Sequence, residues 1–315
     1  MRRLKLSTRA SKLALAQSNE VAGQLRAIES GLDIELVHIR TQGDRDTSDF
    51  LYKSRSVGVF TSEVEDSLLD GRADIAVHSL KDLPTVPREG LVVGAIPPRQ
   101  SVADALITRH EVRSIEDLPR AATVGTSSLR RIAQLKRLRP DLNCVALRGN
   151  VDTRLGKIAG GLVDAAVMAV AGLARLGLAD RISAILEPTE FLPAPAQGAL
   201  AVQVRSDDTD VLRLVGRLDD ASARLTAEIE RTVLASLHGG CSVPLGVFTQ
   251  TEGPTLTIHA ILLSPDGGES LRISETTDAE NARQAAETLA RRLLSIGGRR
   301  ILDAIGRDAP MPDDP

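Results

Sequence analysis

Arginines recur at loop–helix junctions of this sequence, where guanidinium groups could bind an anion. The segments STRAS, GTSSLRR, LRGN, DTR and AGLARLG contain Arg9, Arg130, Arg131, Arg148, Arg154 and Arg175. Several of them follow a predicted strand and begin a predicted helix, where backbone N–H groups and the helix dipole favour anions. Guanidinium groups match carboxylate or phosphate geometry, and hydroxyl donors lie close in sequence, namely Ser11, Thr126, Ser127 and Ser128. For RRIAQLKRLR alone, a solvated helix face is an equal alternative. Two equivalent loops, one in each half of the chain, favour an anionic ligand.

A carboxylate follows a predicted strand in HSLKDLPT, residues 78–85. Parallel α/β sheets bind ligands beyond the carboxyl ends of their strands, so Asp82 could point into a ligand site. Asp82 could equally cap the turn before Pro84, which is a common arrangement. The local sequence leaves both interpretations open.

A cysteine occupies a constrained turn in HGGCSVPLG, residues 238–246. Cys241 could be a small buried apolar residue, or a thiol presented as a reagent or an attachment point. It follows a predicted helix C-terminus, where the dipole disfavours a thiolate, and this argues against a turnover nucleophile. A thiol that is alkylated once and kept as a thioether remains compatible with the sequence.

Composition excludes several other classes of function. A net charge of −3 and an aromatic content of 2% argue against binding of nucleic acid, and the five histidines have no metal-binding spacing. The two cysteines give neither a disulfide framework nor a zinc spacing. We find no P-loop, no G-x-G-x-x-G after a strand, no signal peptide and no run of about 18 apolar residues. We therefore expect a cytoplasmic protein without membrane association.

The elements that must position these residues alternate in type over the first two-thirds of the chain. Short β-rich runs at 4–6, 34–40 and 74–79 alternate with helical patterns, which indicates an α/β fold. The order recurs in the second half, where 141–149 resembles 33–41 and 161–167 resembles 71–77. Chance could produce so few identities, but their shared order favours two α/β domains of similar topology that face each other across a cleft.

The last third has a different pattern. Leu225, Ile229, Val233 and Leu237 lie on one face of a predicted helix that ends at Gly239 and Gly240. Three predicted strands and a final helix over 279–298 follow. This indicates a small α+β domain with a three-stranded antiparallel sheet, followed by a disordered tail over 307–315.

Six motifs in this order and spacing resemble the porphobilinogen deaminase (hydroxymethylbilane synthase) family. They are AVHSLKDLPT, VGTSSLRR, LRGNVDTRL, AVAGLARLG, PAPAQGA and GGCSVPLG, and the resemblance extends from about residue 4 to about residue 305. It implies two domains like those of periplasmic binding proteins and a small C-terminal domain. The implied boundaries are 1–98 with 198–217, 99–197, and 218–315, with the segment 198–205 returning to close the first domain.

The resemblance also implies the activity. The family joins four porphobilinogen molecules head to tail, with loss of ammonia, into hydroxymethylbilane. It primes the chain on a dipyrromethane that is bound by a thioether, here to Cys241. We expect a monomeric transferase of haem biosynthesis that uses no metal, with the downstream uroporphyrinogen-III synthase as a candidate partner.

Residue roles follow by resemblance. Asp82 is the expected catalytic carboxylate, which binds pyrrole N–H groups and stabilises developing positive charge. The expected cofactor-binding residues are Cys241, Lys81, Ser79, Thr126, Ser127, Ser128, Arg130, Arg131, Arg148 and Gly149. The expected substrate-binding residues are Arg9, Ser11, Phe60, Arg154, Arg175 and Gln197.

One loop departs from the family pattern. Many members have a GGKGLF-like loop whose lysine contacts carboxylates, whereas this chain has SRSVGVF with Val57 in the lysine's place. Lys53 or Arg55 could substitute for that lysine, or the contact could be absent.

Two other classes of protein would share some features. A periplasmic-type anion-binding protein would need a signal peptide and has no use for Cys241. A nucleic-acid-binding protein would need aromatic residues and net positive charge.

Overall fold

The structure, a computed structural model, describes residues 2–41, 61–237 and 243–307. Five residues named above lie outside these ranges, namely Lys53, Arg55, Val57, Phe60 and Cys241. All but the first residue of the predicted disordered tail lie outside them as well.

The strands and helices of the described residues follow the predicted alternation. The strands are β1 (Arg2–Arg9), β2 (Leu32–Ile39), β3 (Ile75–Ser79), β4 (Leu91–Ala95), β5 (Asp104–Thr108), β6 (Thr123–Gly125), β7 (Asn143–Val145), β8 (Ala165–Ala169), β9 (Ala184–Leu186), β10 (Leu200–Arg205), β11 (Leu245–Glu252), β12 (Thr255–Leu263) and β13 (Ser270–Asp278). The helices are α1 (Lys12–Ile28), α2 (Ser62–Leu69), α3 (Leu129–Leu138), α4 (Val151–Ala159), α5 (Val170–Arg175), α6 (Thr209–Val215), α7 (Ala221–Ser236), α8 (Ala282–Leu293) and α9 (Arg299–Arg307).

The first sheet has the order β2-β1-β3-β10-β4. Strands β2, β1 and β3 are parallel, and β10 runs antiparallel between β3 and β4. Helix α1 begins at Ser11, whose hydroxyl accepts the Ala14 N–H, and it buries Val21 and Leu25 against the sheet. The returning segment expected at 198–205 is therefore the fourth strand of this sheet.

The second sheet repeats this arrangement with the order β7-β6-β8-β5-β9. Its parallel strands β7, β6 and β8 correspond to β2, β1 and β3, and antiparallel β5 takes the position of β10. The similar segments 33–41 and 141–149 both lie at the edge strand of their sheet. The prediction of two α/β domains with one topology is confirmed.

Two crossover segments, residues 96–103 and 187–199, connect these domains and contact each other. The Gln100 N–H donates to the Gly198 carbonyl oxygen at 3.3 Å. Gly198 has φ +90°, and a Cβ there would lie 2.5 Å from the Gln100 carbonyl oxygen. Only glycine fits both the backbone conformation and this close approach.

The C-terminal domain is a three-stranded antiparallel sheet, β11-β12-β13, covered by α7 and α8. Ile229, Val233 and Leu237 are buried in its core, and Leu225 packs against that core, so the predicted helix face is confirmed. The predicted final helix is wrong in extent. Gly297 breaks it with φ +124°, and α9 continues to Arg307.

The fold class predicted from the sequence is thus confirmed, with two α/β domains and a smaller third domain. No helix of the described ranges is long and apolar enough to cross a membrane.

Candidate functional site

Asp82 lies at the carboxyl end of β3, in the single helical turn Leu80–Asp82. Leu80 and Leu83 are buried on either side of it, whereas Asp82 itself is exposed. The turn is closed by the backbone, because the Leu83 N–H donates to the Leu80 carbonyl oxygen at 3.2 Å. The Asp82 side chain is therefore not required as the cap that one interpretation gave it.

A cavity of about 40 Å³ adjoins Asp82 on the first domain. Its polar lining comes from Arg9, Gln17, Thr61, His78, Ser79 and Asp82. Burial lowers the pKa of His78 to about 4, so that this side chain is neutral at pH 7. Its Nε2 lies 3.0 Å from Gln203 Oε1. A larger hollow, of about 380 Å³, lies on α9 around Arg299 and contains none of the predicted site residues.

Arg130 and Arg131 share one buried carboxylate, Asp104, at the start of β5. Arg130 Nη1 donates to Asp104 Oδ2 at 2.8 Å, and Arg131 Nη2 donates to Oδ1 at 2.6 Å. Burial raises the pKa of Asp104, but the two guanidinium groups outweigh it and hold that pKa well below its usual range. The two arginines are only 4% and 7% exposed, so the solvated-face interpretation is wrong for them. It is right for Arg137, which is exposed at the end of the same helix.

Gln197 connects this group to the first domain. Lys81 Nζ donates to Gln197 Oε1 at 3.0 Å, and Gln197 Nε2 donates to Asp104 Oδ1 at 2.9 Å. Burial lowers the pKa of Lys81 to about 8; the nearby Arg131 also lowers it, whereas Asp82 raises it. The side chains thus form a continuous polar connection from the Asp82 turn to the second domain.

Arg148 and Arg154 bring further positive charge to the same place. Arg154 Nε donates to the Gly149 carbonyl oxygen at 2.8 Å, which fixes this side chain against the LRGN turn. Burial lowers the pKa of Arg154 to about 10; Arg131 and Arg148 add to this effect, and Asp82 opposes it. Gly149 has φ +108°, and a Cβ there would lie 2.9 Å from Thr153 Cγ2, so this turn requires glycine.

The Ser127 Oγ and the Arg130 Nε are among the buried polar atoms that have no hydrogen-bond partner within the described residues. Thr126, by contrast, is used within the loop, since its hydroxyl accepts the Ser128 N–H at 3.2 Å. Unpaired buried donors are costly, and beside several cations they suit an anion with oxygen acceptors. The region therefore fits a ligand that carries several carboxylates.

Arg175 has a different environment from the other predicted arginines. Its Nε donates to Glu20 Oε2 of α1 at 3.0 Å, and its side chain is 6% exposed. Lys12 Nζ of α1 likewise lies 2.5 Å from Asp152 Oδ2 of α4. These ion pairs join the first domain to the second, and Ser11 caps the same helix α1. The substrate contact expected of Arg175 stays a prediction.

Sequence reasoning missed the buried partners of the site. Asp104 was not singled out, although a carboxylate inside the apolar run SVADALIT is unusual unless paired. The Arg99 guanidinium forms a bidentate ion pair with the Glu230 carboxylate of α7, with N–O distances of 3.0 and 2.7 Å. Arg231 donates to backbone carbonyls next to Asp82. Of these buried partners, only Asp104 had a signal in the sequence by which it could have been found.

The described ranges contain no group of three or more His, Cys, Asp or Glu side chains placed to hold a metal ion. Cys144 is a free thiol in β7, and burial raises its pKa. Low thiolate content makes Cys144 a poor nucleophile.

Comparisons with known proteins agree with the resemblance noted in the sequence. The family model "Porphobilinogen deaminase, dipyromethane cofactor binding domain" matches residues 4–213, and "Porphobilinogen deaminase, C-terminal domain" matches 224–295. A protein named porphobilinogen deaminase from Syntrophobacter fumaroxidans is 42% identical over 304 residues, covering 96% of this chain and 98% of its own. One from Syntrophomonas wolfei is 44% identical over 302 residues, with 96% and 98% covered. Among solved structures, the methionine binding protein MetQ has a TM-score of 0.44 at 15% identity, over 72% of this chain and 91% of its own.

Proposed function

Because the chain belongs to the porphobilinogen deaminase family, we propose that Asp82 and an arginine cluster carry out the family's reaction here. The arginine cluster comprises Arg130, Arg131, Arg148 and Arg154. The reaction joins four porphobilinogen molecules head to tail, with loss of ammonia, into hydroxymethylbilane. The cofactor is a dipyrromethane, which supplies the terminal pyrrole carbon to which the first substrate is joined.

The position of Asp82 is the observation that carries this proposal. Its carboxylate is exposed, yet it partly opposes the lowering of the pKa values of Lys81 and Arg154 by burial. These two side chains belong to different domains. An exposed anion between two domains can accept hydrogen bonds from pyrrole N–H groups. It can also stabilise the methylene carbon that becomes electron-poor as a substrate amine departs. The same carboxylate can take up a proton when the new carbon–carbon bond has formed.

The arginine cluster is proposed to bind the carboxylates of the cofactor and the growing chain. Each porphobilinogen brings an acetate and a propionate, so every addition increases the negative charge that must be balanced. The unpaired Ser127 Oγ and Arg130 Nε supply donors beside the guanidinium groups. Lys81, Ser79, Thr126, Ser128 and Gly149 complete the proposed cofactor-binding set, and Arg9, Ser11, Phe60, Arg175 and Gln197 complete the proposed substrate-binding set.

A substrate-limited reaction tests the proposed function directly. Denatured mass spectra should show discrete covalent species, each one pyrrole heavier than the last and each more anionic on ion exchange. Asp82→Ala should stop this ladder, with a loss of kcat of about 100- to 1000-fold and little change in folding. Asp70→Ala is the matched control, because Asp70 is an exposed carboxylate of the same domain. Turnover of Asp82→Ala within a few-fold of wild type would remove Asp82 from the reaction.

The attachment point is proposed to be Cys241. Peptide mapping should place the dipyrromethane on Cys241, and Cys241→Ser should fold without it. Cys144→Ser should retain the adduct, since burial in β7 keeps that thiol protonated. An adduct on Cys144, or none in active enzyme, would contradict this assignment.

The cluster's role has its own test. Arg148→Leu and Ser127→Ala should lower the fraction of protein that carries the cofactor, whereas Arg137→Leu, on the exposed end of α3, should not. Equal loading of all three variants would show that the carboxylates bind elsewhere.

The remaining assignments are proposals of the same kind. The proposed domain boundaries are 1–98 with 198–217, 99–197 and 218–315. A monomeric state, a cytoplasmic location and contact with uroporphyrinogen-III synthase are proposed from the resemblance. Sedimentation, cell fractionation and a pull-down assay test them in turn.

A further inference from the structure

Arg231 of α7 binds the turn that carries Asp82, although it belongs to the C-terminal domain. Its Nη1 donates to the carbonyl oxygens of Leu80 at 3.0 Å and Leu83 at 2.8 Å, and its Nη2 donates to that of Pro84 at 2.7 Å. These carbonyls lie on both sides of Asp82 in the sequence. One guanidinium group therefore spans the whole turn.

Close packing brings α7 to this position. Ala223 and Ala227 lie in one apolar cluster with Leu80 and Leu83. Residues 223, 227 and 231 are spaced by four, so they share one face of the helix. The small alanines let the helix approach the turn, and Arg231 follows one turn later to meet its carbonyls.

The chemistry of the contact favours arginine in particular. Guanidinium presents several N–H donors in a fixed planar fork, which can serve three acceptors at once. Pro84 has no N–H, so the end of the turn cannot be fixed by a backbone hydrogen bond from that residue. Lysine would supply the charge without the fork geometry.

We propose that Arg231 is a positioning residue, which holds the Asp82 turn in its reactive geometry from the C-terminal domain. This inference rests on the proposed role of Asp82. Helix α7 leads in sequence to the segment that contains Cys241. The same helix would thus fix the position of the catalytic carboxylate relative to the domain on which the product chain is proposed to be anchored.

The test compares Arg231→Gln and Arg231→Lys with Arg224→Gln. Arg224 lies on the same helix, but its guanidinium pairs with Asp219 and Glu228, five and four residues away, and donates to the Val93 carbonyl oxygen at 3.4 Å rather than to the Asp82 turn. Each variant is purified with its cofactor, loading is confirmed by mass, and kcat, KM and thermal stability are measured. We expect kcat of Arg231→Gln to fall about 10- to 100-fold, since small misplacements of a reacting group cost that much. KM should change by less than about three-fold, Arg231→Lys should recover part of the loss, and Arg224→Gln should retain wild-type kcat.

A double-mutant cycle with Asp82→Glu separates positioning from a merely structural role. If Arg231 acts through the Asp82 carboxylate, its replacement should cost less once that carboxylate has been displaced. The proposal would be overturned if the losses of kcat of the two single variants multiplied in the double variant. It would also be overturned if cofactor-loaded Arg231→Gln had an unchanged kcat. Should Arg231→Gln fail to fold, Arg231→Lys supplies the same cycle. Failure of the Asp82 assignment itself would instead appear as an active Asp82→Ala.

Discussion

Replacing Asp104 with asparagine should expose how strongly the two domains depend on one buried charge. Asp104 is 0% exposed and accepts from Arg130, Arg131 and Gln197 at distances between 2.6 and 3.2 Å. An amide has one oxygen, and its own N–H groups would face guanidinium donors. Removing one partner of a buried ion pair costs about 3–5 kcal/mol, because the remaining charge stays desolvated.

The assay is urea unfolding followed by far-ultraviolet circular dichroism, performed in two backgrounds. In Cys241→Ser, which is expected to lack the cofactor, Asp104→Asn should lower the free energy of unfolding by the full amount, about 3–5 kcal/mol. In loaded enzyme the loss should be smaller, because carboxylates at the arginine cluster would offset part of the uncompensated charge. Asp210→Asn, whose pair with Arg213 is exposed, is the control and should have little effect.

The pH dependence provides an independent check. The folded pKa of Asp104 lies well below its unfolded value, so its stabilisation is complete above about pH 4. That stabilisation is lost as the pH falls through the folded pKa. Asp104→Asn should therefore flatten the acid limb of the stability profile. A loss below about 1 kcal/mol in the cofactor-free background, with an unchanged acid limb, would refute the reasoning.

Three further outcomes are expected. Because burial lowers the pKa of Lys81 to about 8, its charge is lost as the pH rises through that value, so uptake of the cofactor by cofactor-free protein should weaken above pH 8, and Lys81→Met should abolish this pH dependence. Folding releases a proton between about pH 8 and the unfolded pKa, so Lys81 should also make the free energy of unfolding increase with pH in that window, as calorimetry can measure. Gly198→Ala should destabilise the crossovers, since its Cβ would lie 2.5 Å from the Gln100 carbonyl oxygen at φ +90°, and limited proteolysis should then cleave faster. If Arg175 serves only the ion pair with Glu20, then Glu20→Gln and Arg175→Met should have equal KM values; a higher KM for Arg175→Met alone would indicate a substrate contact.

Elements that depend on local pattern could be predicted from the sequence. The run DIAVHS followed by a turn placed Asp82 at the end of a parallel strand, which is where β3 ends. The spacing of Ile229, Val233 and Leu237 identified the buried face of α7. The similarity between 33–41 and 141–149 revealed the repeated topology.

Contacts between distant segments could not be predicted in this way. Asp104 meets Gln197 across 93 positions of the chain, and Arg231 meets Leu80 across 151. No periodicity links such residues, because their proximity arises only when whole domains pack together. The helix after Gly297 was not predicted, and the reason is local. A glycine with positive φ is typical of a helix end, whether or not another helix follows it.

The place of β10 in the first sheet has a consequence for biosynthesis on the ribosome. Strands β3 and β4 are consecutive in the chain, but β10 lies between them and is translated only by residue 205. The second sheet draws all five of its strands from the span 104–186. Domains fold as units during translation, so the second domain can complete while the first still lacks an internal strand. We therefore expect the two halves of this enzyme to mature in the reverse of their order in the chain, with the N-terminal half the more exposed to aggregation on a stalled ribosome.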